Sequence, residues 1–574
     1  MRILRYIMAV GALCLTGMAA GQSLTESVTV EGRYKPDIIQ ADRLALLPAT
    51  VTMTAPESPM AYDRTGRIAS FAPDALSMPA TGWRAKKVYD SSRGYIDLRL
   101  GSWLNSSLST GYAAISDEQT RLNVWLQHNS TSLWQAWQEK PGQPYDIDAA
   151  DRRFRYDEVI GADLSHRVFG AGTLEAALQY HLGYFNYYGT DQGPEQDGRI
   201  KAPTQTINDV YARVGWKGED YGRLMYNAEA DVRHFAYRAM YTPLPTAVYP
   251  REYAKTQGER ETAVNAGGEV WFKSSVFSLQ SSDRGWKIGM GLKYSGVINS
   301  IGNNVNRGEA MPAYTLTGRS YSLRIGANLA VVGNGEHTRF RAAPDVRFSF
   351  RKGLAAFSAN VGGGTYLRTL AWMHDMDYYS NPGIGCHEAA YSPLDVRLAL
   401  QLNPGGRWTW GVEGIWKTTR DETFGGLYQA FLNNDTYLYG SYPETGKIQG
   451  FSIGVNAGYE FCRYFSLKGT ANWQPQDGEK GILNGFDRPE FTAKVTAESS
   501  PIDKLSLRLD YRLRAKRELL RGNVSRLGLS GDYRVTERIS VGVELDNLLN
   551  RHEEFLPGLA MEGLNVMAGV QIIY

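Results

Sequence analysis

Gly450-Phe451-Ser452-Ile453-Gly454 matches the G-x-S-x-G spacing of a serine nucleophile elbow. That chemistry needs a strand-to-helix turn, with a base and an acid brought beside the serine by the fold. Here Phe451, Ile453, Val455 and Ala457 share one parity and no helical pattern follows, so Ser452 reads as a polar-face residue in mid-strand. A second group lies between Ala371 and Tyr391: His374, Asp375, Asp377, Cys386, His387 and Glu388. These are metal-ligating types, but their spacing fits no zinc or calcium pattern, and Tyr378 and Tyr379 favour a folded Tyr-rich loop. No metal or other cofactor is expected. The third group is a set of charges: Asp395 and Arg397; Arg508, Asp510, Arg512 and Arg514; Arg526 and Asp532; Glu544 and Asp546. Each set keeps one parity, which places it on one face of a strand, where opposite charges on neighbouring strands pair across a sheet. Such a wall is either a solvated lining or a docking surface for an internal segment or a polar solute. His181, between Gln179 and Gly183, belongs to the same kind of face.

The elements that carry these residues alternate throughout. Ile539, Val541, Val543 and Leu545 oppose Ser540, Gly542, Glu544 and Asp546; Leu505, Leu507, Leu509, Tyr511 and Leu513 oppose Ser506, Arg508, Asp510, Arg512 and Arg514. One apolar and one polar face, strand after strand, is the pattern of a transmembrane antiparallel β-barrel with a polar lumen. The chain ends on such a strand: Val566, Ala568, Val570, Ile572 and the final aromatic, Tyr574, share a face. A terminal strand of this kind closes the barrel, because an open sheet edge cannot stand in lipid. Tight links recur at Phe169–Gly172, Arg351–Gly353, Pro404–Arg407, Cys462–Tyr464, Ser500–Lys504 and Val535–Arg538. Between them come long links at 131–152, 188–204, 239–260, 371–391 and 420–446. Short periplasmic turns and long outer loops alternate in this way when the N-terminus is periplasmic and the strand number is even. The count from residue 93 is about 22 strands, including a weak one near Met311 to Arg319, and about 20 if the Gly268–Arg307 region holds fewer.

Residues 1–21 read as a secretory signal peptide, with Arg2 and Arg5, an apolar run from Tyr6 to Leu15, and Ala19, Ala20 and Gly21 at the cleavage site. The mean hydropathy of −0.36 hides a membrane face that is spread by alternation, whereas 35 Tyr, 13 Trp and 61 Gly suit aromatic girdles and closely packed strands. A net charge of +2 offers nothing to nucleic acid. Of the cysteines left in the mature chain, Cys386 falls in an outer loop and Cys462 at a periplasmic turn, separated by an apolar band of about 25 Å, so two free thiols are expected.

Asp546-Asn547-Leu548-Leu549-Asn550, Phe555, Pro557-Gly558, Gly563 and the closing strand resemble the C-terminal end of TonB-dependent receptors. The opening strand, Gly94-Tyr95-Ile96-Asp97-Leu98-Arg99-Leu100-Gly101, resembles their first barrel strand. The resemblance implies 22 strands and an outer-membrane location in a Gram-negative bacterium. It also implies a large N-terminal plug, and here the sequence departs from it. Residues 22–92 form a Pro-rich periplasmic leader, with Pro36, Pro48, Pro56, Pro59, Pro73 and Pro79, that reads as extended rather than as a compact domain. Within it Glu26-Ser27-Val28-Thr29-Val30 is similar to a TonB box, the segment that pairs with TonB by strand addition, and equally fits a plain extended arm.

These residues predict a non-enzymatic outer-membrane barrel of TonB-dependent-receptor type without a standard plug. Its expected role is an accessory or scaffold subunit of an outer-membrane assembly, for transport or protein insertion; the alternative is a transporter or channel for a polar solute, TonB-coupled through the leader. Its expected partners are outer-membrane lipid, other envelope proteins and, in the coupled case, TonB.

Overall fold

The computed structural model describes residues 93–574, apart from the connections 134–152, 169–170, 219–222, 244–252, 275–284, 301, 377–388, 432–436, 476–488 and 516–522 and most of 188–202 and 552–561. The signal peptide, the leader and its TonB-box-like segment lie outside the described residues, as does Cys386.

Twenty-two strands form one sheet that closes on itself. In chain order they are β1 (Gly94–Gly101), β2 (Ser106–Ser116), β3 (Thr120–Leu133), β4 (Arg153–Val168), β5 (Gly172–Asn186), β6 (Thr204–Gly218) and β7 (Leu224–Tyr237). There follow β8 (Arg260–Lys273), β9 (Gly285–Asn299), β10 (Val305–Thr317), β11 (Tyr321–Gly333), β12 (Thr338–Lys352) and β13 (Ala355–Leu367). After the helix α1 (Leu370–Met376) come β14 (Ala389–Leu402), β15 (Trp408–Phe431), β16 (Tyr437–Cys462), β17 (Phe465–Trp473) and β18 (Phe491–Ile502). The last four are β19 (Leu505–Ala515), β20 (Val524–Arg534), β21 (Ile539–Asp546) and β22 (Asn565–Ile573). Each pairs antiparallel with the next, and β22 pairs with β1 from Ile573↔Tyr95 to Met567↔Gly101. The backbone of Arg93 and Gly94 donates to the Tyr574 carbonyl, so both termini of the barrel meet at one seam.

The closed 22-strand barrel is the fold that alternation and turn spacing predict. Its outer surface carries the apolar parity: Val541, Val543, Leu529, Leu509, Ile453 and Val570 are all exposed. Tyr112, Tyr574, Trp408, Tyr459, Tyr464 and Tyr533 ring the end with the tight turns, and Tyr156, Tyr184, Tyr294, Phe451 and Trp473 ring the other, as girdles at two interfaces. The tight turns are made where backbone conformation allows them. Between β12 and β13 the two-residue link uses Gly353 at φ +57°, a left-handed conformation that other residues resist.

Two expectations about the strand count hold and one about a loop is corrected. The weak strand near Met311 is the middle of β10, a full strand; its signal is diluted by Pro312, which lacks an N–H, and the β10–β11 ladder skips that position between Ala310↔Leu329 and Ala313↔Gly326. The Gly268–Arg307 region holds two ordinary strands, β8 and β9. The long link 420–446 is strand for most of its length: β15 and β16 pair on to Phe431↔Tyr437, beyond the neighbouring strands, as a two-stranded arm. Mixed composition there obscured the period, and the ladder is satisfied within the hairpin itself.

Candidate functional site

The inner face at the long-loop end is where the chain departs from a plain barrel. Strand β13 pairs with β12 only from Lys352↔Ala355 to Val346↔Val361. Beyond it β12 carries Pro344 and β13 has a bulge between Gly362 and Gly364, so the ladder lapses. Inward-facing side chains from more distant strands take its place. The Asn328 amide on β11 donates to the Gly363 carbonyl at 2.7 Å, and Arg307 on β10 donates to the Thr365 carbonyl. Leu367 packs on Val305, Ala330, Val332 and Ala389. Side chains of β10 and β11 can reach the backbone of β13 only if its last residues lie on the inside of the wall. Outside it, β12 and β14 are stitched by Arg341 to the Ala389 carbonyl at 2.7 Å and by the Tyr391 hydroxyl to the Ala342 carbonyl at 2.6 Å.

The infolded strand leads directly into α1. Arg368 anchors the junction, donating from Nε and Nη2 to both Glu422 oxygens at 2.6 and 2.8 Å, with its guanidinium 4.4 Å from the Trp372 ring. The far side of α1 meets β5, β7 and β8. The Leu370 N–H donates to Glu261 Oε2 at 2.8 Å, the Tyr237 hydroxyl lies 2.9 Å from His374 Nδ1, and the His374 ring contacts Phe185 and Phe235. A seven-residue helix, about 10 Å long, thus bridges inner-face residues of the β13–β15 side and the β5–β8 side. Charged groups surround this contact: Arg155 and Asp157 on β4, His181 on β5, Asp209 paired with Arg233 at 2.6 Å across β6 and β7, and Glu261 on β8.

Burial, with Arg155 and His181 nearby, holds the His374 imidazole well below its ordinary value of 6.5. A histidine whose folded value is depressed is neutral while α1 is seated and binds a proton more readily once released. The stability of the seated helix is therefore complete above about pH 6.5 and is lost as pH falls below it. Amide hydrogen exchange in Leu370–Met376, corrected for the intrinsic rate, should quicken by up to about tenfold per pH unit below that point, and the His374→Gln chain should lose this dependence. Exchange that is equally pH-independent in both chains would remove His374 from the contact.

The residues picked from sequence fall into separate groups. Ser452 is buried in mid-strand, in register with Ile415, with no helix after it. His374 and Asp375 lie on α1, while Asp377, Cys386, His387 and Glu388 lie outside the described residues. Among the described residues no group of three or more His, Cys, Asp or Glu is placed to hold a metal ion. Cys462 is a free, exposed thiol beside its tight turn. His181 does more than line the wall: Nε2 is 3.2 Å from Asp157.

The charge rows do not simply pair across the sheet. Arg508 bonds Asp510 two residues along its own strand at 2.7 Å, as Arg99 does Asp97 at 3.1 Å, because i and i+2 share a face within reach of a long guanidinium. Arg397 pairs with Glu413 at 3.0 Å and Arg526 with Asp546 at 3.4 Å, while Asp395 stands in register with Gly362, at the bulge of β13. Asp532 and Glu544 share a cation that sequence reading passed over, Arg99 on β1, at 3.8 and 3.6 Å. Arg99 crosses β22 over Gly569, where any side chain would collide with it. Arg512 stands in register between Lys494 and Arg526, so three cations line up across β18, β19 and β20, and Arg514 follows on the same face.

Comparison with solved structures bears on the barrel as a whole. The ferric enterobactin receptor PfeA of Pseudomonas aeruginosa, a point mutant in complex with enterobactin, aligns with a TM-score of 0.62 over 84% of this chain and 81% of that one. The chain has the barrel fold of the siderophore receptors. The siderophore receptor PirA of Acinetobacter baumannii aligns with a TM-score of 0.62 over 85% and 81% at 11% identity, and the FrpB iron transporter of Neisseria meningitidis with 0.60 over 85% and 82% at 10%. Identity to PfeA is 13%, so the likeness is one of fold. No family model matches the sequence, and no curated protein does.

Proposed function

We propose that this protein is an outer-membrane transporter for a polar, anionic solute, with α1 narrowing the path. The barrel fold of receptors and iron transporters favours passage over a purely structural role, and the in-register cations Lys494, Arg512 and Arg526 carry the preference for anions. Carboxylates stand beside this row, as where Arg526 meets Asp546, and a passing anion would compete with them for the cations. In this reading the tight turns and the N-terminus are periplasmic, the long loops and the β15–β16 arm face outward, and Glu26, Ser27, Val28, Thr29 and Val30 engage TonB by strand addition. The chemistry on the inner face is binding and steering; no residue in it is assigned a catalytic step.

Reversal potentials across planar bilayers in a potassium chloride gradient test the charge preference. The chain carrying Arg368→Ala, with α1 released, should favour chloride, and adding Lys494→Gln, Arg512→Gln and Arg526→Gln should remove most of that preference. Cation preference in the first chain would reject the reading. Coupling is tested in cells: deleting Glu26–Val30 should abolish energy-dependent accumulation and leave bilayer conductance unchanged. Stoichiometric envelope partners co-purifying with a non-conducting chain would favour the accessory-subunit role instead.

A further inference from the structure

The end with the tight turns carries a second pattern that lumen function does not use. Just beyond its aromatic girdle, exposed cations occupy turn after turn: Arg319, Arg351, Lys352, Arg407, Arg463 and Arg538. Several sit beside an exposed outward aromatic in sequence, as in Phe350-Arg351, Arg407-Trp408 and Arg463-Tyr464, and the Arg463 guanidinium lies 5.3 Å from the Tyr464 ring. Exposed carboxylates in and beside the described tight turns include Asp117, Glu118, Glu460, Asp503 and Glu537. Of these Asp503 approaches Arg463 no closer than 3.8 Å, with both side chains about four-fifths exposed. At the long-loop end several described cations are held by carboxylates, as where Arg339 and Arg341 share Asp421 and Arg368 holds Glu422.

We infer that this rim is an interaction surface for anionic glycerophospholipid headgroups. Tyr and Trp of a girdle sit at headgroup level, so the residues next to them in the turns lie at the depth of the lipid phosphates. Long cationic side chains reach that plane while their stems stay on apolar surface. Each Lys or Arg near an anionic surface adds attraction, and screening over a Debye length makes the sum sensitive to salt. An acidic protein partner would meet the same charges, but the cations follow the wall along an arc of half the barrel, from β10 to β21, and several stand next to a girdle aromatic, which suits headgroups lying along that arc.

Native mass spectrometry of the full chain, released from nanodiscs of equal parts phosphatidylglycerol and phosphatidylcholine, reads this directly. The wild-type chain should retain phosphatidylglycerol over phosphatidylcholine by about tenfold or more, and Arg319→Gln, Arg351→Gln, Lys352→Gln and Arg463→Gln together should bring the ratio close to one. Arg339→Gln with Lys447→Gln, at the opposite end, should leave it unchanged. Should the fourfold variant fail to fold, the wild-type chain still decides, because its preference should collapse between low salt and about 1 M salt. Equal retention of the two lipids by the wild-type chain, a preference indifferent to salt, or one kept by a folded fourfold variant would each overturn the inference. So would a rim variant that loses an acidic protein partner while its lipid ratio stays the same.

Discussion

Deleting Asn565–Tyr574 is expected to abolish the barrel altogether. The deletion removes β22, which pairs with seven residues of β1 and eight of β21. Their N–H and C=O groups would then face hydrocarbon, where each unsatisfied group costs several kcal/mol. The Arg99 network loses its geometry as well, since Gly569 lies between Arg99 and Glu544. Heat-modifiable migration on gels is the measurement, and no folded species should form. Replacing only Tyr574 by Ala should be mild. The ring stacks on Tyr112 at 6.4 Å, worth about 1 kcal/mol, while the backbone bonds from Arg93 and Gly94 to the Tyr574 carbonyl remain. A folded, membrane-inserted deletion product would show that β1 and β21 can close without β22.

Arg368→Ala is expected to release α1 from the lumen wall. The substitution leaves Glu422, 6% exposed, without the cation that contacts both its oxygens, and it uncovers Trp372. Breaking a buried pair from one side costs about 3–5 kcal/mol. Spent on the seated state alone, that lowers the ratio of seated to released helix by about a hundredfold or more. Amide exchange in Leu370–Met376 should rise accordingly, and single-channel conductance should rise with it. Arg368→Met combined with Glu422→Leu removes both charges together and should restore much of the protection, because no buried charge is then left alone. Unchanged exchange in Arg368→Ala would mean that Glu261, His374 and the aromatic wall hold α1 without the ion pair.

The architecture was legible because the bilayer imposes strictly local rules. Period-two alternation in segments such as Ile539–Asp546 and Leu505–Ala515 identifies spanning strands one at a time. Closure then requires nothing beyond the pairing of neighbours, so the strand number, the order and the aromatic final strand could be read without knowing any distant contact. Where period two was diluted, by Pro312 in β10 or in the arm beyond Arg420, the reading weakened by the same logic.

The interior was not legible in this way. Parity places Asp532, Glu544 and Arg526 on the lumen face, but which charge each one meets depends on register, on the strand-to-strand offset and on glycines such as Gly569 that let a side chain cross. Nothing in the local pattern of Gly362 to Met376 says that β13 parts from β12 while keeping β14, and carries α1 to side chains of β5, β7 and β8. That path is set by partners remote in sequence: Asn328, Arg307 and Glu422 on one side, Glu261, Tyr237 and Phe185 on the other. Alternation is a property of adjacent residues and survives in one dimension, whereas the seat of α1 exists only once the sheet has curved to bring residues of β5, β7 and β8 within reach of the segment after β13.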